Sequence, residues 1–221
     1  MSKASIRGLY AIADTRTIAP GELPYRVAAA IAGGARIVQY RHKDSGAARP
    51  RNEVQDLLAT CRRLRVPLII NDDVEFAATL AADGVHLGRD DTDPSAARTR
   101  LGRRAIIGVS CYDDLDRAVE AQAAGADYVA FGSFFASTTK PEAVRAPIEL
   151  LQQARNRLTI PLVAIGGITA HNAARLLAAG ADAIAVISGI FTEDDPCVAA
   201  RRYSTLFETP GKHSTSAALY T

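Results

Sequence analysis

Short, continuously apolar runs alternate along the chain with longer segments in which apolar residues recur every three or four positions. Continuous apolar runs are typical of strands buried on both faces, as in a parallel sheet covered by helices, and the periodic segments predict those helices. Eight segments contain such a run: 8–14, 32–40, 66–72, 81–88, 105–110, 123–132, 160–167 and 178–187. In four of them small residues end an alanine-rich helix just before the strand, where glycine would fit a left-handed helix C-cap.

Helical periodicity between these runs completes a repeating unit. It is clearest at 24–33, 52–65, 114–125, 147–158 and 171–180. Eight strand–helix units in a chain of this length predict an α/β protein with a single-domain (β/α)8 fold, the TIM barrel. A doubly wound open sheet is the alternative, but the G-x-G-x-x-G fingerprint of its dinucleotide-binding members is absent. We expect the barrel domain to span 1–207 and a mobile C-terminal tail to span 208–221.

Composition and charge narrow the class of protein. The chain has 221 residues and a net charge of +2, and its arginines are scattered, so nothing indicates a nucleic-acid partner. No apolar stretch approaches the ~20 residues of a membrane span, and the N-terminus lacks the apolar core of a secretory signal. Three cysteines without metal-binding spacing predict reduced thiols. We therefore expect a cytoplasmic protein with no membrane partner.

Polar residues follow the second predicted strand, and barrel active sites lie at the C-terminal ends of strands. Side chains alternate in an extended segment, so Gln39, Arg41 and Lys43 should project to one side, and Tyr40 and His42 to the other. An amide and two cations on one side predict a site for phosphate oxygens. A solvated loop is the alternative for such a short pattern.

Acidic residues follow the third and fourth strands, which are neighbours in a barrel. Asp72 and Asp91 are our candidate Mg²⁺ ligands, because Mg²⁺ takes few protein oxygens and keeps water and substrate phosphates as its other ligands. We interpret Asp73 and Asp90 as helix-cap or turn residues. Glycine-rich loops after the last two strands, 164–169 and 186–189, predict a phosphate site made of backbone N–H groups.

These strand ends carry a resemblance to a known family. In order and spacing, from residue 8 to about residue 191, the chain resembles the thiamine phosphate synthase family. The segments that carry the resemblance are GLYAIAD, VQYRHKD, PLIINDD, DGVHLGRDD, IIGVS, GADYVAFGSFFASTTK, IPLVAIGGIT and GADAIAVISGIF. The resemblance implies a (β/α)8 barrel that joins hydroxymethylpyrimidine diphosphate to thiazole phosphate and releases pyrophosphate, with Mg²⁺ as its cofactor.

The resemblance also implies the residues of the site. The pyrimidine diphosphate would contact Gln39, Arg41, Lys43, Asn71, Ser110 and Lys140. The thiazole phosphate would contact Ser137, Thr139, Gly167, Ile187 and Ser188, and Mg²⁺ would bind Asp72 and Asp91. The catalytic set would be Arg41, Lys43 and Lys140, which neutralise the leaving group. The aperiodic loop 134–143 would be a lid that keeps water away from a reactive cation.

Several positions depart from the family pattern, namely Arg89, Ala136, Ser137 and the pair Cys111 and Tyr112. His86 is expected to fill the barrel interior rather than to bind a ligand. Three rival functions stay open: a thiazole tautomerase, a catalytically silent phosphate-binding barrel, and a phosphosugar isomerase. The cationic residues after strand two argue against the first, and no strand ends in a glutamate that could serve the last. Homo-oligomerisation is also left open.

Overall fold

The computed structural model describes residues 5–43, 51–136 and 144–208 of the chain. Its centre is a closed barrel of eight parallel strands in sequential order, which confirms the predicted TIM barrel. The strands are β1 (Gly8–Asp14), β2 (Ala35–Arg41), β3 (Leu68–Asn71), β4 (Gly84–Leu87), β5 (Ile106–Tyr112), β6 (Tyr128–Phe131), β7 (Leu162–Ile165) and β8 (Ala183–Val186).

Helices follow the strands and form the outer layer. They are α1 (Leu23–Ala32), α2 (Arg51–Leu64), α3 (Val74–Leu80), α4 (Pro94–Leu101), α5 (Leu115–Ala123), α6 (Glu149–Arg157), α7 (Ala173–Ala178), α8 (Ser188–Phe191) and α9 (Pro196–Ser204), followed by a 3₁₀ turn at Thr205–Phe207. The five helices predicted by periodicity lie within one or two residues of these bounds at most ends, as expected for frayed helix termini. Within the described ranges, no helix is long and apolar enough to cross a membrane.

Alternation along the strands divides the apolar residues into two cores. A small interior core fills the barrel and includes Tyr10, Ile37, Ile69, Tyr128 and Val163. A larger outer core lies between the sheet and the helices. Both faces of the strands are therefore buried, which explains why the sequence pattern is continuously apolar.

The junctions before four strands follow the predicted pattern with one difference. Gly34, Gly125 and Gly180 have positive φ angles. At the fourth junction, however, Ala81 is the left-handed helix C-cap, with φ 51°. Gly84 begins β4 instead, and a side chain there would place its Cβ 2.0 Å from the carbonyl oxygen of Ile106. The glycine in this segment is thus needed for close strand packing rather than for a cap.

Aspartates fix the starts of several helices. Asp73 is the N-cap of α3, as predicted, and accepts a hydrogen bond of 2.8 Å from the backbone N–H of Phe76. Asp93, Asp114 and Asp195 cap α4, α5 and α9 in the same way. These caps hold the loops on the C-terminal side of the barrel in place. Residues 209–221 of the predicted tail lie outside the described residues.

Candidate active site

A cavity of about 160 Å³ opens at the C-terminal end of the barrel. Five residues that the sequence predicted to bind substrate line it: Gln39, Arg41, Asn71, Ser110 and Ile187. The interior-facing side chains Tyr10, His86 and Tyr112 complete much of its wall. The predicted alternation along β2 is confirmed for Gln39 and Arg41, which both line this cavity while Tyr40 packs in the outer core. Lys43 lies beyond the end of β2 and does not line the cavity.

Asp14, the last residue of β1, binds the side chain of Arg41 from the neighbouring strand. The two residues are paired in the register of β1 and β2, and Arg41 Nη1 donates to Asp14 Oδ2. Arg16 also binds this carboxylate, donating from its backbone N–H at 3.0 Å, from Nε at 3.0 Å and from Nη2 at 2.8 Å. Burial would raise the pKa of Asp14, but the hydrogen bonds from Arg16 and the charges of both arginines outweigh it and lower the pKa. Asp14 is therefore an anion that fixes the Arg41 guanidinium at the cavity wall.

Asp72 and Asp91 meet at the rim of the barrel, as predicted. Their carboxyl groups lie close enough to shift each other's pKa, and Lys43 Nζ forms an ion pair with Asp72 Oδ2. Burial and the neighbouring Asp72 carboxylate raise the pKa of Asp91, although its hydrogen bond of 2.6 Å from the Gly88 N–H acts in the opposite direction. Burial would also raise the pKa of Asp72, but hydrogen bonds from Lys43 and Asp91 lower it. The pKa values of the two carboxyl groups are thus shifted in opposite directions, as expected for two acids that lie close together.

This pair fits the predicted Mg²⁺ site in its donor chemistry. Two adjacent carboxylates offer hard oxygen ligands, and Mg²⁺ commonly binds one or two carboxylates together with water and substrate phosphates. Within the described ranges, no group of three or more His, Cys, Asp or Glu side chains could hold a metal ion. Asp72 and Asp91 could therefore hold a cation that a bound phosphate helps to coordinate, but they do not form a complete protein cage.

A second cavity adjoins the first along β7 and β8. Ile165, Gly166, Ala185 and Ile187 line both cavities. The second cavity is otherwise formed mainly by the two loops that follow β7 and β8, including the predicted residues Gly167 and Ser188.

Glycine is required at the start of this second cavity. Gly166 has a φ of +100°. A Cβ on Gly166 would lie 1.9 Å from Ser133 Oγ. A Cβ on Gly167 would lie 2.2 Å from the carbonyl oxygen of Ala136. The two glycines therefore let the loop after β7 pass directly beneath the beginning of the loop after β6.

The structure also places the residues that depart from the family pattern. The Arg89 guanidinium lies 4.9 Å from the centre of the Tyr112 ring, in a cation–π contact, so two of the departures pack against each other beside the cavity. Cys111 is buried in the outer core. His42 stacks on Tyr40 and its Nδ1 lies 3.1 Å from Thr15 Oγ1, which confirms that it points away from the site.

Three of the predicted substrate-binding residues lie in a part of the chain that the structure does not describe. Ser137, Thr139 and Lys140 lie outside the described residues, as does most of the proposed lid. The described part of that loop, Phe134 to Ala136, begins over β7, where the backbone N–H of Phe135 donates to the Gly166 carbonyl at 3.0 Å. The loop after β6 thus starts at the boundary between the two cavities.

Sequence reasoning missed several residues that shape the site. No role is predicted for Asp14 at the end of the first strand, because apolar patterns do not fix the register that pairs it with Arg41. For Tyr10 and Tyr128 the apolar pattern predicts only buried strand positions. Their hydroxyl groups lie 2.8 Å apart inside the barrel and connect Gln39 with His86. An aromatic hydroxyl in an inward-facing position was the available signal, because a buried hydroxyl group needs a partner.

Comparisons with known proteins agree with this geometry. A family model described as thiamine monophosphate synthase matches residues 9–190. The thiamine-phosphate synthase of Nitrosococcus oceani is 51% identical over 204 residues, which cover 92% of this chain and 94% of that protein. The thiamine-phosphate synthase of Azoarcus sp. is 52% identical over 209 residues, which cover 91% of this chain and 98% of that protein.

A solved structure supports the same assignment. The thiamine phosphate pyrophosphorylase from Pyrococcus furiosus superposes with a TM-score of 0.79 at 33% sequence identity, covering 91% of this chain and 95% of that one. The matches extend over nearly the whole barrel and both cavities. The chain is therefore a transferase enzyme, and it belongs to the thiamine monophosphate synthase family.

Proposed function

We propose that the chain is a thiamine-phosphate synthase that joins hydroxymethylpyrimidine diphosphate to thiazole phosphate and releases pyrophosphate. The observation that carries this proposal is the pair of adjoining cavities, which share the ends of β7 and β8. A condensation needs two reactants to be held side by side, because fixing their relative position removes much of the entropic barrier. One cavity has the convergent polar groups that a heterocycle needs, and the other has the glycine-rich loops typical of a phosphate site.

Each substrate is assigned to one cavity. Gln39, Asn71 and Ser110 would bind the pyrimidine, and Arg41, Lys43 and Lys140 would bind its diphosphate. Ser137, Thr139 and the backbone of Gly167, Ile187 and Ser188 would bind the thiazole phosphate. The placement of Gln39, Arg41, Asn71 and Ser110 around one cavity supports this assignment. The roles of Ser137, Thr139 and Lys140 stay predictions from the resemblance.

We infer a dissociative substitution. The bond between the methylene carbon of the pyrimidine and the diphosphate oxygen breaks first, and its electron pair leaves with pyrophosphate. The aminopyrimidine ring stabilises the resulting methylene cation, and the thiazole nitrogen then donates its lone pair to form the new C–N bond. No protein nucleophile is required, so the chain acts by orienting both reactants and by neutralising the leaving group.

Two basic side chains and a bound Mg²⁺ would supply positive charge to the diphosphate leaving group. Arg41 is bound to Asp14 before any diphosphate arrives, which favours a preorganised site. Lys43 lies at the rim on Asp72 and is half-exposed, so it can reach a bound phosphate. Asp72 and Asp91 would hold Mg²⁺, which supplies further positive charge to the diphosphate when it is bound.

The remaining expectations are consistent with this role. We propose that the barrel domain spans 1–207 and that the protein works in the cytoplasm. All three cysteines are free, as predicted for a reducing compartment.

The direct test is to mix the purified chain with both substrates and Mg²⁺ and to follow thiamine phosphate after oxidation to fluorescent thiochrome. We expect product that disappears when a chelator removes the metal. Asp91→Asn should raise the Mg²⁺ concentration required for half-maximal rate by roughly 10-fold or more. Asp90→Asn is the matched control, because Asp90 is exposed and next in sequence. Folded protein that binds a substrate without turnover would instead support a catalytically silent barrel.

A further inference from the structure

A chain of hydrogen bonds crosses the floor of the first cavity. Gln39 Nε2 donates to the Tyr10 hydroxyl at 3.0 Å, and the hydroxyls of Tyr10 and Tyr128 lie 2.8 Å apart. The Tyr128 hydroxyl lies 2.9 Å from His86 Nδ1, and His86 Nε2 lies 2.8 Å from Ser110 Oγ. Four strands contribute besides β2: Tyr10 from β1, His86 from β4, Ser110 from β5 and Tyr128 from β6.

The interior of the barrel is built around this chain. Tyr128 is fully buried and does not line the cavity, whereas Gln39 and Ser110 at the two ends of the chain do line it. Gly108 makes room for the Tyr128 ring, because a Cβ there would lie 1.9 Å from the ring carbon that bears the hydroxyl. The Tyr10 and Tyr128 rings also contact each other edge to face, with centroids 5.9 Å apart.

Counting hydrogens gives the chain one direction. An amide nitrogen can only donate, so the Tyr10 oxygen accepts from Gln39 Nε2. A buried hydroxyl hydrogen needs an acceptor, and the Tyr128 oxygen, 2.8 Å away, is the acceptor that the Tyr10 hydrogen can reach. The Tyr128 hydrogen must then go to His86 Nδ1, because a second hydrogen cannot occupy the gap between the two phenols. The His86 proton is consequently on Nε2, which donates to Ser110 Oγ at 2.8 Å. The Ser110 hydroxyl hydrogen is left to point elsewhere, towards the cavity.

Burial keeps the hydrogens in place. Burial raises the pKa of Tyr10, although its hydrogen bonds to Tyr128 and Gln39 act in the opposite direction. Burial and the neighbouring Tyr10 raise the pKa of Tyr128 well above its usual range. Both phenols therefore stay protonated near neutral pH, and each has one hydrogen to donate.

We propose that Tyr128 is a positioning residue, which fixes the Nε2–H tautomer of His86 and thereby makes Ser110 a donor towards the pyrimidine. At the other end of the chain Gln39 binds Tyr10 through Nε2 and presents Oε1 as an acceptor. An amino group beside a ring nitrogen presents the complementary pattern of one donor and one acceptor. The inference rests on the proposed function where it names the pyrimidine. The tautomer of His86 itself does not depend on that function.

Tyr128→Phe tests the proposal, because it removes one hydroxyl and keeps the ring. In the ¹⁵N NMR spectrum of the wild-type imidazole rings, we expect His86 to show protonated Nε2 and unprotonated Nδ1, with the assignment made by loss of the signals in His86→Gln. In Tyr128→Phe the fixed tautomer should give way to a mixture. A wild-type His86 that carries its proton on Nδ1, or one that Tyr128→Phe leaves unchanged, would overturn the inference.

Kinetics supply the second readout. In Tyr128→Phe the donor and acceptor roles along the hydrogen-bond chain are no longer fixed. We therefore expect KM for the pyrimidine diphosphate to rise by roughly 5- to 30-fold. KM for the thiazole phosphate should stay within about two-fold, since the β7 and β8 loops are not part of the chain. A purely structural role for Tyr128 would change both constants together and would also refute the proposal. Tyr25→Phe is the control, because Tyr25 is 77% exposed on α1.

The two proposals fail in different ways. Wild-type protein without turnover would refute the proposed function, while the NMR experiment would still decide the His86 tautomer. Normal turnover in Tyr128→Phe, with an unchanged KM for the pyrimidine diphosphate, would refute the positioning role and leave the proposed function standing. Tyr10→Phe is an independent variant that breaks the same chain one link earlier, and it should change the same KM.

Discussion

Replacing Asp14 with asparagine should destabilise the barrel and misplace Arg41 at the same time. The Asp14 side chain is fully buried and that of Arg41 is 10% exposed, so the ion pair between them is shielded from water. Removing one partner of a buried pair typically costs 3–5 kcal/mol, because the other charge stays buried without compensation. Asparagine keeps the shape and some hydrogen bonds, so we expect about 3 kcal/mol, or a fall in Tm of roughly 6–12 °C for a domain of this size.

The assay is thermal unfolding of wild type and Asp14→Asn between pH 2 and pH 8. Asp116→Asn is the matched control, since it makes the same chemical change in an exposed pair with Arg157; its Tm should fall by less than about 3 °C. Because the folded pKa of Asp14 is lowered, its charge stabilises the fold above the unfolded pKa of about 3.9. This stabilisation is lost as the pH falls through the folded pKa.

The difference in Tm between wild type and Asp14→Asn should therefore persist from pH 5 to pH 8 and shrink below about pH 4. Turnover should fall as well, because Arg41 loses the group that orients it. An Asp14→Asn variant no less stable than Asp116→Asn at pH 7 would refute the reasoning. So would a difference that stayed constant down to pH 2, because it could not then come from the charge of Asp14.

Two further predictions concern the second cavity and the thiols. Gly166→Ala should weaken binding of the thiazole phosphate and lower Tm more than Gly102→Ala, because both positions have positive φ but only Gly166 lacks space for a Cβ; equal effects would contradict this. Burial raises the pKa of Cys61 and Cys111 to about 12, so a thiol reagent at pH 8 should label only Cys197 in the folded protein. Mass spectrometry should find three labelled thiols after unfolding, and rapid native labelling of Cys61 would contradict the buried core.

The fold and part of the site could be predicted from the sequence because both follow from local rules. Strand periodicity fixes which side chains face inward, so the inward position of Gln39 and Arg41 required no knowledge of the rest of the chain. Strand order in a parallel barrel then makes Asp72 and Asp91 neighbours at one rim. These predictions needed only chain geometry.

The features of the site that the sequence did not predict depend on contacts between residues far apart in the chain. The bond between Tyr10 and Tyr128 joins residues 118 positions apart, and it exists because the closed barrel brings β1 and β6 across the interior from each other. The support of Arg41 by Asp14 depends on the register of two strands, which apolar patterns do not fix to one residue. Likewise, the contact of Arg89 with Tyr112 joins two loops whose conformations the sequence pattern leaves undetermined.

The most direct test of the two-cavity account is a crystal structure of the chain with thiamine phosphate, pyrophosphate and Mg²⁺. We expect the pyrimidine ring between Gln39 and Ser110 and the phosphate of thiamine phosphate on the loops after β7 and β8. The pyrophosphate should lie beside Arg41, on the side of Asp72 and Asp91. A product bound in the reverse direction, with its phosphate at Arg41 and its pyrimidine at the β7 and β8 loops, would contradict the account.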